Sequence, residues 1–291
     1  MSHKDSDSVQ SHDLTLDVLV RAIGELPAAP HVLARALQLT ADTETDINEL
    51  GHVLSADQSL SARVLRLSNS PFYGRLREVK SITEALQVLG FETVRTVTIA
   101  ASTHLIYRDM ADGNYARTLW RHSLCTAIAA GTLAESYKMG DKESAYIAGL
   151  LHDIGKLVLH ARAPHLFEKI VLEVVTSGRE FCKIESEMLN FDHSDIASLM
   201  LSGWNIPSPL VRAIHAHHRQ ITAETLPANR LAHVVALADD IARRLNICFP
   251  GQKPAMTTAI IGDGMPVLDD AQLQSVAGRV RAAFELEVAL F

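Results

Sequence analysis

The stretch GLLHDIGKL, residues 149–157, breaks an apolar run with a histidine and an aspartate side by side and a lysine three positions later. Gly149, Leu150 and Leu151 read as packing that fixes the end of a helix, and Gly155 as the residue that lets the chain turn. Neighbouring His152 and Asp153 are compatible with a metal site, with half of a proton relay, or with chance. The same pair occurs at His12-Asp13, in the polar opening segment MSHKDSDSVQSHD, where it has no meaning of its own. The surroundings have to decide.

Those surroundings have helical periodicity. KESAYIAGLL delivers His152 and Asp153 at its C-terminal end, and a longer helix before it starts near Tyr115 and runs through LWRHSLCTAIAAGTLAES. Further upstream, PHVLARALQLT and QSLSARVLRLSNS each repeat apolar residues on one helical face. SITEALQVLG carries Ser81 as N-cap, Glu84 three residues on, and Gly90 as a stop. ETVRTVTIAASTHLIY is rich in β-branched residues, yet its length and neighbours favour a buried helix over a strand. Downstream, Pro164, Asp192 and Pro207 open three more helices, ANRLAHVVALADDIARRLN is apolar on one face, and Asp269-Asp270 caps a closing amphipathic helix. No set of alternating strands emerges, so the expected class is all-α. The polar, glycine-containing RDMADGN, residues 108–114, marks a boundary.

Bulk properties narrow the function. The 291 residues are 47% hydrophobic but only 5% aromatic, so aliphatic side chains fill the core. Net charge is -7, from 34 acidic and 27 basic residues, with no basic run; this argues against a nucleic-acid partner, which needs clustered Lys and Arg. Cys125, Cys182 and Cys248 are far apart and form no CxxC, as expected of reduced thiols in a cytoplasmic protein. The opening segment is no signal peptide and is expected to be a flexible tail, and no apolar run reaches the length of a membrane span.

Fourteen histidines are many for this length, and eight lie between His152 and His233. His122, His152, Asp153, His193, His217, His218 and Asp239 each fall within or at the edge of an expected helix, the arrangement from which helix bundles build metal sites. Imidazole and carboxylate donors without cysteine suit iron, manganese, zinc or nickel. Asp153 can bridge two cations, and paired cations activate water and stabilise a departing phosphate oxygen. Lys156 then offers positive charge to a phosphoryl group. His160, His165, His215 and His233 read as surface or hydrogen-bonded residues instead.

The order His122, His152-Asp153, Asp239 resembles the HD superfamily of metal-dependent phosphohydrolases. His193 and the His217-His218 pair resemble the extra ligands of its HD-GYP branch. The flanking text, including ELPAAPHVLARALQLT, DQSLSARVLRLSNSPFYG, SITEALQVLG and AYIAGLLHDIGKLVLH, is similar to the HDOD family, the HD-related output domain of bacterial signalling proteins. The resemblance covers about residues 26–245 in order. It implies an N-terminal helical lobe (14–108) packed on an HD-like lobe (114–248), after a tail (1–13) and before an irregular segment with a final helix (249–291). It implies signal transduction through contacts with other signalling proteins, and one or two divalent metal ions held by His122, His152, Asp153, His193, His217, His218 and Asp239. The alternatives are an active phosphohydrolase, with Asp153 and Lys156 as its catalytic residues, and a nucleotide or phosphoester sensor without turnover. Arg219 stands where the HD-GYP branch has an acidic residue, and RQITAETLPANR lacks the GYP segment, so cyclic di-GMP hydrolysis is not expected.

Overall fold

Helix ends are where this sequence is most explicit, and they set the architecture. The computed structural model describes residues 50–52, 54, 58–69, 78–110, 113–219, 221–222, 224–249, 251–252 and 268–291. The elements there are α1 (Gln58–Ser68), α2 (Ile82–Leu89), α3 (Phe91–Met110), α4 (Asn114–Tyr137), α5 (Lys142–Leu151) and α6 (Ile154–Arg162). They continue with α7 (Pro164–Ser177), α8 (Phe181–Leu189), α9 (His193–Gly203), α10 (Ser208–Ala216), α11 (Leu226–Arg244) and α12 (Asp270–Val288). Among the described residues there is no strand, and no helix is long and apolar enough to cross a membrane. The tail, the helix expected over PHVLARALQLT, and most of NSPFYG and of the irregular segment lie outside them.

The caps explain the boundaries. Ser81 accepts a hydrogen bond from the Glu84 N–H at 3.1 Å, and Asp141 accepts one from Ser144 N–H at 2.7 Å. Asp192 and Asp269 each close a full capping box, with Asp195 and Gln272. Pro164 begins α7. The β-branched stretch is indeed helical: α3 is buried continuously from Val94 to Thr103, so its packing overrides intrinsic propensity.

Helix α4 is the centre of the assembly, packing against α3, α5, α11 and α12. Its Leu119, Leu124 and Leu133 are fully buried, and each contributes about 2 kcal/mol by leaving water. Gly149 lets α5 approach α4 closely, because a Cβ there would stand 2.9 Å from the Thr126 carbonyl oxygen. Gly155 requires a correction. It lies inside α6 with ordinary helical backbone rather than at a turn, and the chain changes direction at Asp153. A Cβ on Gly155 would lie 1.9 Å from the His193 carbonyl oxygen and 3.1 Å from Ala197 N. This glycine lets α6 lie directly against the start of α9.

At the far end, α12 docks by burying Glu287, whose Oε1 accepts a hydrogen bond from the Tyr146 hydroxyl at 2.8 Å. Burial pushes the Glu287 carboxyl up to about 7, although the Tyr146 hydroxyl opposes the shift.

Two outcomes are expected. Gly155→Ala sets a methyl against backbone that cannot rotate away, and should cost about 3 kcal/mol in denaturant unfolding. A loss within experimental error would show that α6 and α9 do not depend on this contact. The raised Glu287 pKa means the folded state binds more protons than the unfolded between about pH 4.5 and 7. Stability from this group is therefore complete below the unfolded pKa and declines as pH rises through the folded one, by about 3 kcal/mol. Glu287→Gln should flatten the fall in melting temperature over that window; an unchanged slope would assign it to other groups.

Candidate metal centre

Five stretches of chain converge beside α4. His122 comes from α4 itself, His152 ends α5, and Asp153 occupies the N-cap position of α6. Asp153 makes no capping hydrogen bond with its side chain, which leaves the carboxylate for other partners. His193 opens α9, His217 ends α10 with His218 next to it, and Asp239 projects from α11. Except for His218, which is half-buried, all of these are at most 4% exposed.

The backbone decides which ring nitrogen carries the proton. His122 Nδ1 donates to the Ile247 carbonyl and His152 Nδ1 to the Gly149 carbonyl, each at 2.7 Å. His217 Nδ1 donates in the same way to the Ile214 carbonyl. A carbonyl only accepts, so in each neutral ring Nε2 is left with a lone pair. His193 Nδ1 donates to Glu185, whose Oε2 also accepts from the His193 backbone N–H at 3.1 Å.

The lone pairs converge. His122 Nε2 lies 3.1 Å from Asp239 Oδ1 and 3.4 Å from Asp153 Oδ2, while His152 Nε2 lies 3.4 Å from Asp153 Oδ2. On the other carboxylate oxygen, Asp153 Oδ1 is 3.2 Å from His193 Nε2, which is 2.9 Å from His218 Nε2. Donor atoms around a cation with bonds of about 2.1 Å stand about 3.0 to 3.4 Å apart in octahedral and tetrahedral shells. His152 Nε2 and His217 Nε2 are buried without any hydrogen-bond partner, a costly arrangement unless something else binds them. Two groups lie within mutual reach of a single ion: His122, His152 and Asp153, and Asp153, His193, His217 and His218. The residues present therefore fit a divalent metal.

Electrostatics agree. Three buried carboxyl groups, Asp153, Asp239 and Glu185, share the centre with two basic side chains, Lys156 and Arg243. Burial would raise the Asp153 carboxyl, but His152 and Lys156 outweigh it and hold it well below the usual range. Burial is likewise overcome at Asp239, held low by Arg243 and His122. Burial opposes charge on His193, yet Glu185 and Asp153 push it up to about 9: the surplus negative charge collects a proton there. A divalent cation compensates the same charge and displaces that proton. Burial and the neighbouring imidazoles lower His217 to about 3 and hold His218 well below the usual histidine value.

All seven expected ligands thus gather in one region, and Asp240 is set apart from Asp239 by pairing with Arg244 at 2.8 Å. Lys156 stands differently from its expected place before a phosphoryl group. Its ammonium donates to Asp153 Oδ2 at 2.7 Å, lies 4.9 Å from the Phe181 ring centre, and is sealed from solvent. Arg219 turns outward to Asp195 at 3.0 Å, and His215 bonds the same carboxylate. His160, His165 and His233 join neither group. Sequence reasoning missed Glu185 and Arg243. Arg243 follows Asp239 by one helical turn, a spacing visible in the text, whereas Glu185 lies eight residues before His193 and only folding shows their contact.

The chain resembles known proteins over most of its length. A protein from Treponema pallidum (strain Nichols) is 23% identical over 270 residues, 91% of this chain and 51% of that relative. The chain thus spans about half the length of that curated relative, and less of the others it matches. An HDOD domain protein of unknown function from Geobacter sulfurreducens superposes with a TM-score of 0.78 at 24% identity, covering 94% of this chain and 97% of that one. A Shewanella amazonensis SB2B protein, provisionally named a phosphohydrolase, superposes with a TM-score of 0.73 at 26% identity, covering 94% and 98%. Residues 26–220 match the HDOD domain, and with the helical fold and the gathered HD-type residues in place, the chain belongs to the HDOD family.

Proposed function

We propose that this is a cytoplasmic signalling protein of the HDOD type, whose buried histidine–aspartate centre holds a divalent metal ion and reports its state through protein contacts rather than through turnover. The observation that carries this reading is the sealing of the centre. His152, Asp153, Lys156 and His193 are at most 1% exposed, and Lys156, the lysine expected to face a phosphoryl group, is committed to Asp153. A bound divalent cation would supply Lewis acidity and lower the pKa of a coordinated water. Around it, the chain's own residues exclude solvent, orient the imidazoles through backbone carbonyls, and neutralise Asp153 and Asp239 with Lys156 and Arg243. Those are the properties of a site that stores binding energy in the fold. The provisional phosphohydrolase name of the Shewanella relative favours a second reading, hydrolysis of a phosphoester.

Elemental analysis of protein purified without added metal should find near-stoichiometric iron, manganese, zinc or nickel. A chelator should then lower the melting temperature, because metal at a thousand times its dissociation constant adds about 4 kcal/mol to the folded state. Absence of metal would end this reading. A screen of phosphodiesters and nucleotides should give no turnover; activity that disappears in Asp153→Asn would establish the hydrolase instead. Removing the charge of Asp153 leaves Lys156 buried and unpaired, so that variant should also lose about 3 kcal/mol of stability in the metal-free protein.

A further inference from the structure

The two ligand groups share Asp153 but are not equivalent. On the side of His122 and His152, Asp153 Oδ2 already accepts the Lys156 ammonium at 2.7 Å. Asp239, the remaining carboxylate on that side, is engaged at both oxygens by Arg243: Nε donates to Oδ1 at 3.0 Å and Nη2 to Oδ2. Arg243 is itself buried and one turn from Asp239 on α11, so it has little freedom to leave. Asp239 reaches His122 but does not fall within mutual reach of His122, His152 and Asp153 together. An ion entering this side meets two fixed positive charges on its two carboxylates. On the other side, His217 Nε2 has no hydrogen-bond partner, Asp153 Oδ1 faces His193 Nε2 at 3.2 Å, no lysine or arginine bonds a donor atom, and four donors stand within mutual reach. His193 is aimed by Glu185 and His217 by the Ile214 carbonyl.

Resting on the reading that the centre binds metal, we infer that it holds one tightly bound ion, on Asp153 Oδ1, His193, His217 and His218, and that Lys156 and Arg243 take the place of a second ion beside His122 and His152. The donor set is three imidazoles and one carboxylate oxygen, which suits a tetrahedral zinc-type ion or, with further positions filled, iron or manganese. The site is thus a one-ion centre in which protein cations complete the charge of the other half.

The test is metal content of the full chain after prolonged dialysis, together with the visible spectrum of the cobalt(II)-loaded protein. The wild type should retain one ion per chain. His122→Ala should retain that ion with an unchanged cobalt spectrum, and so should the double variant Asp239→Asn with Arg243→Met, which leaves no unpaired buried guanidinium. His218→Ala, altering the least buried of the four donors, should weaken binding by at least tenfold and change the spectrum while circular dichroism stays native. Two ions retained by the wild type would overturn the inference but leave a metal centre standing. So would loss of the ion in His122→Ala with retention in His218→Ala. No ion in the wild type would overturn the metal reading and this inference with it.

Discussion

The structure depends on keeping one carboxylate out of water. Asp153 is 1% exposed, and an isolated charge so placed costs several kcal/mol. Lys156 meets it at 2.7 Å from the next turn, and imidazoles of His122, His152 and His193 surround it. Everything nearby follows from that requirement. The chain bends at Asp153, Gly149 brings α5 against α4, and Gly155 brings α6 against the start of α9, closing protein around the charge. A larger residue at either glycine would open the space that the carboxylate cannot tolerate.

Enclosure also sets what the centre is able to do. The four donors assigned to one ion come from the α5–α6 junction, the start of α9 and the end of α10, so a cation bound there would tie together elements spread over more than sixty residues. Metal affinity becomes folding energy when the ligands are held apart in the unfolded chain. On the proposed reading, such a site acts by altering how helices pack, and hence the surface offered to a partner. The carbonyls of Gly149, Ile214 and Ile247 prepare it by fixing the histidine rings before any cation arrives.

Much of this was legible in one dimension, for local reasons. Helix ends were readable because caps act over three residues: Ser81 with Glu84, Asp192 with Asp195, Asp269 with Gln272. The all-α class followed from periodicity, and even the β-branched stretch of α3 was readable from its length. The seven candidate ligands were readable from spacing and family resemblance. Gly155 was misread as a turn, because a glycine chosen for close approach looks identical in sequence to one chosen for positive φ. Lys156, expected to offer its charge to a phosphoryl group, stands one turn from Asp153 and bonds its carboxylate.

By itself, then, the sequence determined the helices, their ends and the identity of the histidines and aspartates, because those rest on interactions within a few residues. Tertiary structure alone decided which atoms face each other. It turned Glu185 toward His193, brought His122 to Asp239 and His218 to His193, and left His217 Nε2 without a partner. The physical reason is that charge compensation in a buried site depends on distances between segments far apart in the chain, and those exist only after the helices have packed.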